Sequence, residues 1–166
     1  MNINLSATSL SDQRFREYLF ERVKACPEIN RFVCFEMTES AAMTNYDQVL
    51  SLLENLKSMG CRIALDDFGT GFSSLSQIRQ LPLDYIKIDG TFIKEIVANK
   101  LDQAVVKGVS EIAKVLKIST VAEFVETEDM LSALQELKID YAQGYLFSKP
   151  VPIEERQQVD EARKAA

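Results

Sequence analysis

The chain has 166 residues, a length typical of a single domain. Its 25 acidic and 19 basic residues give a formal net charge of −6, which disfavours a general nucleic-acid binder, because such proteins need a surplus of lysine and arginine. The sequence contains no histidine, which excludes a Ser-His-Asp triad, a Cys-His dyad and a zinc site with imidazole ligands, and leaves carboxylates and amides as ligands for hard cations such as Mg²⁺ or Mn²⁺.

Short β-type runs alternate with amphipathic segments along the chain. The runs that predict strands are residues 2–5, 32–37, 62–66, 85–89, 120–123 and a weak run near Tyr141. Apolar residues at helical spacing predict helices between them, with stripes at Phe15, Leu19 and Val23, at Val49, Leu52, Leu53 and Leu56, at Leu101, Val105, Val109, Ile112 and Leu116, and at Met130, Leu131, Leu134 and Leu137. Thr127 is expected to open the last helix, and residues 154–166 are expected to form a polar terminal helix or tail.

Strict alternation of strands and helices predicts right-handed βαβ units and a parallel sheet. Two architectures fit this order, a doubly wound open sheet and a (β/α)₈ barrel. The open sheet is expected to carry a glycine-rich phosphate turn after an early strand, and none occurs here. A complete barrel typically needs about 250 residues and eight strands, which is more than this chain offers.

The three cysteines, Cys26, Cys34 and Cys61, form no CxxC pair and are expected to be reduced thiols. No apolar run approaches the roughly 20 residues of a membrane span, and the first residues do not follow the pattern of a signal peptide. We therefore expect a cytoplasmic protein without membrane contact.

Acidic residues cluster where the predicted strands end. Those at or just past a strand end are Glu36, Glu39, Asp66, Asp67, Asp89, Glu123 and Glu126. In parallel α/β folds this edge of the sheet is where active sites are built. The alternative is that these acids only cap helix N-termini, and for Glu39 and Glu126 the two interpretations are balanced.

The alternation of side chains along a strand places Lys87 and Asp89 on the face opposite Ile86 and Ile88. If the isoleucines pack on helices, Lys87 points to the interior, where it needs carboxylate partners. A ring of Glu36, Asp66, Asp67, Asp89 and Glu123 would supply them and would repel itself unless divalent cations neutralise it. The residues thus predict an Mg²⁺ or Mn²⁺ centre with one lysine, suited to hydrolysis of a phosphate ester.

At these residues the sequence closely resembles the EAL domain family, the cyclic di-GMP phosphodiesterases of bacterial signalling. The most distinctive segment is residues 64–75 (ALDDFGTGFSSL). The other matching segments are, in order, residues 2–7 (NINLSA), 36–40 (EMTES), 83–89 (LDYIKID), 121–127 (VAEFVET) and 143–150 (QGYLFSKP). Together they span nearly the whole chain.

The resemblance implies an α/β, TIM-like barrel that binds two divalent metals, Mg²⁺ or Mn²⁺, and opens cyclic di-GMP to the linear dinucleotide by in-line attack of an activated water. The metal ligands it implies are Asn4, Glu36, Asp66, Asp67 and Glu123, with Asp67 shared between the metals. Lys87, Glu123 and Asp67 would be catalytic. Gln143 and Asp89 would contact the substrate, and Asp89 would either ligate a metal or lie directly beside one. Glu39 and Glu126 would anchor loops, Glu39 the loop of residues 67–74 that links the metals to contacts in a homodimer.

The sequence also departs from the family pattern. No Glu-Ala-Leu occurs, Phe124 stands where the family usually has glycine, and no GGDEF partner domain is present. Residues 1–166 are therefore expected to be a partial EAL domain of about six strands, without the first strands and the Glu-Ala-Leu motif, and weakly active or inactive alone. The alternative is a non-catalytic module that binds cyclic di-GMP or a protein partner.

A six-stranded piece of a barrel has two open edges, here residues 2–5 and the run near Tyr141. We expect Ile3, Leu5, Phe32 and Cys34 to be partly exposed there in a monomer. Such exposure of apolar side chains predicts that the chain pairs with a second copy.

Overall fold

Strands and helices alternate along the chain in a computed structural model that describes residues 1–71 and 75–152. The strands are β1 (Asn2–Asn4), β2 (Cys34–Thr38), β3 (Arg62–Phe68), β4 (Tyr85–Ile88), β5 (Ser119–Ala122) and β6 (Tyr141–Ala142). The helices are α1 (Ala7–Ser11), α2 (Gln13–Ala25), α3 (Glu39–Met43), α4 (Tyr46–Ser58), α5 (Leu75–Ile78), α6 (Gly90–Ile93), α7 (Lys100–Leu116) and α8 (Glu128–Glu136), with a 3₁₀ turn at Asn30–Phe32. None of these described helices is both long and apolar enough to cross a membrane.

The strands form one parallel sheet whose order follows the sequence from β1 to β6. Within the described residues, β1 pairs only with β2 and β6 only with β5, so the sheet has two edges. The predicted α/β fold with six parallel strands is confirmed, and the sheet is an incomplete barrel.

The two faces of the sheet differ in chemistry. One face carries buried apolar side chains, among them Phe35, Ile63, Leu65, Ile86 and Ile88, which belong to the same hydrophobic core as the buried residues of α4 and α7. The other face lines a cavity of about 430 Å³ with Cys34, Glu36, Arg62, Ala64, Tyr85, Lys87, Val121, Tyr141 and Gln143. Because side chains alternate along each strand, the polar residues share the inner face and are held at fixed spacing.

Helix starts follow the predicted signals. The Thr127 hydroxyl accepts a hydrogen bond from the backbone N–H of Met130 at 3.2 Å and opens α8, as predicted. The Asn99 side chain caps α7 in the same way, by accepting from the N–H of Leu101 at 2.9 Å. These caps fix where each helix begins relative to the strand before it.

Three expectations from the sequence are wrong. Phe32 lies in the 3₁₀ turn and not in a strand, because β2 begins only at Cys34, whereas its expected exposure is confirmed at 61%. Leu5 and Cys34 are buried, with 3% and 8% exposed, although they lie near the open edge. The stripe predicted on α7 is shifted, since Leu101 is exposed and Val106 is fully buried. The predicted tail at residues 154–166, and residues 72–74 of the predicted 67–74 loop, lie outside the described residues.

Candidate active site

The centre of the site is the Lys87 ammonium, which is held by three carboxylates. Its Nζ lies 2.7 Å from Glu123 Oε1, 3.0 Å from Asp66 Oδ1 and 3.1 Å from Glu36 Oε2. The Lys87 side chain is only 7% exposed. The three partners come from β2, β3 and the end of β5, and Lys87 itself lies on β4, so the inner face of four neighbouring strands builds the cluster.

The protonation state of Lys87 follows from these contacts. Burial by itself lowers the pKa of the ammonium, but hydrogen bonds to Glu123 and Asp66 and their negative charges outweigh it and raise the pKa above its usual range. Lys87 therefore stays charged at neutral pH. An ammonium has three N–H donors, and each has a carboxylate partner, so Lys87 reaches a water or a phosphate only by releasing one of them.

A second group of carboxylates lies beside Lys87. Oxygen atoms of Asp66, Asp67 and Glu123 all lie within 4.8 Å of one another, a spacing that suits a shared divalent cation. The β3 strand is irregular there, because its register with β4 shifts between Leu65 and Phe68. Asp67 adopts a left-handed backbone with φ of 54°, so that it and Asp66, adjacent in sequence, both contribute an oxygen to the group.

The surroundings of these carboxyl groups disfavour their ionised forms. Burial, together with the charges of Asp66 and Asp89, raises the pKa of the Asp67 carboxyl. Burial also raises the pKa of Glu123, and Asp66 and Asp67 add to this, although Lys87 opposes it. Negative charge that one lysine does not fully balance is what a bound cation would relieve.

Asp89 links the group to α6. Burial alone would raise the pKa of the Asp89 carboxyl, but hydrogen bonds from Thr91 outweigh it and lower the pKa, including one from the Thr91 backbone N–H at 2.8 Å. The charge of Asp89 in turn raises the pKa of Asp67. Asp89 thus caps α6 and acts electrostatically on the carboxylate group at the same time.

The remaining predicted ligands and substrate contacts lie on β1, on β2 and directly after β6. Asn4 pairs in register with Glu36 and is exposed on β1, where both residues line a depression of about 500 Å³. Glu36 is outside the group of three oxygens and bonds to Lys87 instead. Gln143 is exposed, lines the inner cavity, and is tied to β5 by its N–H, which donates to the carbonyl of Ala122 at 2.8 Å.

Glu39 and Glu126 lie in different environments. Glu39 is buried, and its Oε2 accepts hydrogen bonds from the backbone N–H groups of Gly69 and Gly71 at 3.2 and 3.3 Å, across the loop that follows β3. Glu126 is exposed, close before α8, and does not belong to the group of three oxygens. Its anchoring role stays a prediction.

Sequence reasoning did not identify the partners of Phe124. This residue also has a left-handed backbone, with φ of 55°, and its ring lies against Gly90 and beneath the Lys94 ammonium, whose Nζ is 5.2 Å from the ring centroid. The sequence shows Phe124 as a departure from a glycine pattern, but no local signal pairs it with α6.

Comparison with known families decides the classification of the chain. A family model described as "EAL domain" matches residues 1–150. The chain belongs to the EAL domain family. This confirms the resemblance carried by the motifs, and it agrees with the TIM-like arrangement of parallel strands.

Curated relatives match the EAL domain over nearly all of this chain. The cyclic di-GMP phosphodiesterase PdeB of Shewanella oneidensis is 41% identical over 92% of the chain and 18% of its own length. The cyclic di-GMP phosphodiesterase PdeA of Borreliella burgdorferi is 41% identical over 92% of the chain and 23% of its own length. PdeF of Escherichia coli is 43% identical over 91% of the chain and 20% of its own length. The chain thus spans about a fifth of the length of these relatives.

Solved EAL structures have the same fold. The PaMucR phosphodiesterase in complex with c-di-GMP superposes with a TM-score of 0.86 at 35% identity, over 93% of this chain and 63% of that one. The EAL domain of DcpA from Mycobacterium smegmatis gives a TM-score of 0.86 at 35% identity, over 95% of this chain and 71% of that one. BlrP1 of Klebsiella pneumoniae, solved as a manganese and cy-diGMP complex, gives a TM-score of 0.80 at 35% identity, over 90% of this chain and 38% of that one.

Proposed function

We propose that this chain is the catalytic part of a cyclic di-GMP phosphodiesterase that hydrolyses the cyclic dinucleotide to its linear form with divalent cations, Mg²⁺ or Mn²⁺. The observation that carries this proposal is the group of Asp66, Asp67 and Glu123 oxygens beside Lys87. The names of the relatives support the substrate.

The donor atoms fit the proposed cations. Carboxylate oxygens are the ligands that Mg²⁺ and Mn²⁺ prefer, and burial with mutual repulsion already raises the pKa of Asp67 and Glu123. Asp66, Asp67 and Glu123 would hold the first cation, and Glu36 with Asn4, adjacent across β1 and β2, would extend the site. A bound divalent cation supplies Lewis-acid polarisation of the phosphate and lowers the pKa of water.

The other residues have roles that follow from their contacts. Lys87 keeps its proton and holds Glu36, Asp66 and Glu123 in place, and with one of these carboxylates bound to a cation its freed N–H would stabilise negative charge on the phosphate. Gln143, which lines the inner cavity, and Asp89, whose charge acts on Asp67, would contact the substrate.

The direct test is to incubate the 166-residue chain with cyclic di-GMP and Mn²⁺ and to follow the linear dinucleotide by chromatography. Asp66→Asn is the matched control, because it keeps the side-chain volume and removes the anionic ligand. Binding of cyclic di-GMP that depends on Mn²⁺ and is lost in Asp66→Asn supports the site even where turnover by the chain alone is slow. Binding or turnover that is equal in both proteins would contradict the metal assignment.

The alternative is a non-catalytic module that binds cyclic di-GMP or a protein partner. The observation in its favour is the bulky Phe124 directly after Glu123, in a backbone conformation that favours glycine. Metal-dependent binding of cyclic di-GMP without any linear product, at protein concentrations equal to substrate, would favour this alternative over the enzyme.

We also propose that the chain forms a homodimer in the cytoplasm. The two sheet edges have unpaired backbone groups within the described residues, and Tyr141, Tyr145 and Phe147 are about half exposed at or just beyond the β6 edge. All three cysteines are free thiols, which suits a reducing compartment. Light scattering at micromolar concentration tests assembly, since a single species of 18.7 kDa would exclude the dimer.

A further inference from the structure

Phe124 combines a strained backbone conformation with an exposed side chain. A left-handed backbone is unfavourable for a bulky side chain, and Phe124 adopts one with φ of 55°. The residue is nevertheless 51% exposed, so burial of the ring in the core does not account for the conformation. Strained residues of this kind concentrate at functional sites.

The ring contacts the start of α6. A Cβ on Gly90 would lie 2.3 Å from Phe124 Cδ2 and 2.8 Å from Cγ, so the ring rests directly on the Gly90 backbone. Lys94 Nζ, just past the end of α6, lies 5.2 Å from the ring centroid. These contacts hold the ring in place while about half of the residue stays exposed.

The exposed ring lies at the same edge of the sheet as the carboxylate group. Phe124 directly follows Glu123 after the end of β5, and Gly90, which the ring contacts, directly follows Asp89 after the end of β4. A flat aromatic surface beside a phosphodiester site is a platform on which a nucleobase stacks.

We propose that Phe124 binds the substrate by stacking the exposed part of its ring on one purine base of the cyclic dinucleotide, with Gly90 and Lys94 holding the ring in place. This inference rests on the proposed function, because it takes cyclic di-GMP as the ligand. It makes Phe124 a specificity residue of this chain, since the stack depends on the base and not on the metals.

The experiment compares the wild-type chain with Phe124→Asn and Phe124→Trp. Asparagine tolerates the left-handed backbone without a ring, and tryptophan keeps an aromatic surface. Affinity for cyclic di-GMP is measured by calorimetry in Ca²⁺, the cation of one ligand-bound BlrP1 structure. The affinity of each protein for Mn²⁺ alone is measured as the control, because displacement of Glu123 would weaken metal binding and loss of a base stack would not.

We expect Phe124→Asn to raise the Kd for cyclic di-GMP about tenfold and Phe124→Trp to change it by about twofold or less. Mn²⁺ affinity should be equal in all three proteins. If the wild type binds and Phe124→Asn has an unchanged or lower Kd, this inference is overturned and the proposed function stays intact. A loss of Mn²⁺ affinity in Phe124→Asn would have the same consequence. A wild type that binds no cyclic di-GMP would overturn the proposed function, and the stack with it.

Discussion

Replacement of Lys87 by methionine tests the centre of the site. Methionine keeps the length of the side chain but removes the charge that three carboxylates share at 2.7–3.1 Å. The side chains of Lys87, Glu36, Asp66 and Glu123 are all less than one-fifth exposed, so water screens their charges poorly. Removing one partner of a buried ion pair typically costs about 3–5 kcal/mol, against a total stability of about 5–15 kcal/mol for a typical domain.

The pH dependence of this loss has a defined direction. In the wild type the raised pKa of Lys87 gives stability that is fully present below the ordinary lysine pKa of 10.5, so this contribution is constant between pH 5 and 7.5. In the variant, Glu123 loses the partner that lowers its pKa, and that pKa rises further. A carboxyl group with a raised pKa destabilises the fold above that pKa, and the penalty fades as the pH falls through it.

The assay is urea unfolding followed by circular dichroism at both pH values. Lys57→Met is the matched control, because Lys57 pairs with Asp84 at a site where its side chain is 38% exposed, and such a pair contributes about 1 kcal/mol or less. We expect Lys87→Met to lose several times more stability than Lys57→Met at pH 7.5, and less of it at pH 5. Equal losses in the two variants would refute the central role of Lys87.

Three further predictions follow from other contacts. Asp67→Asn should weaken Mn²⁺ binding at least about tenfold, measured by calorimetry, because a shared anionic ligand is lost; unchanged affinity would place the metal elsewhere. Gly144→Ala should destabilise the fold by about 2 kcal/mol in urea unfolding, since its Cβ would lie 2.2 Å from the Val125 carbonyl, whereas Gly108→Ala, in open space on α7, should stabilise it by about 0.5–1 kcal/mol. Glu39→Gln should speed hydrogen exchange at the two loop amides that this carboxylate holds, and protection equal to the wild type would contradict the anchor.

The inner face of the sheet could be predicted from the sequence because its signal is local. Alternation along β4 places Lys87 opposite Ile86 and Ile88, and a buried ammonium requires carboxylates wherever it lies. The acids at the ends of β2, β3 and β5 are the partners that a parallel sheet brings to that edge. Spacing and chemistry were therefore enough to group Glu36, Asp66 and Glu123 around Lys87.

Features that depend on distant contacts could not be predicted in this way. The 3₁₀ turn before β2 is held by the Asn30 side-chain amide, which donates to the carbonyls of Val23 and Met59 at 3.1 and 2.9 Å, and this tie sets where the strand begins. Phe32 therefore leaves the strand although its residue type favours one. The contact of Phe124 with Gly90 likewise joins residues far apart in sequence, and no periodicity reports it.

The strand order in the sheet allows the strands to pair one after another in the order of their synthesis. Each strand pairs with the strand that precedes it in the sequence, so a strand leaving the ribosome finds its partner edge already made. The loops that must close are those of single βα units, which favours rapid folding for a parallel sheet. Among the described strands β6 is the shortest, with two residues, and it pairs only with β5, so it opens first. Gln143, directly after β6, thus stays at the cavity only while β6 remains paired with β5.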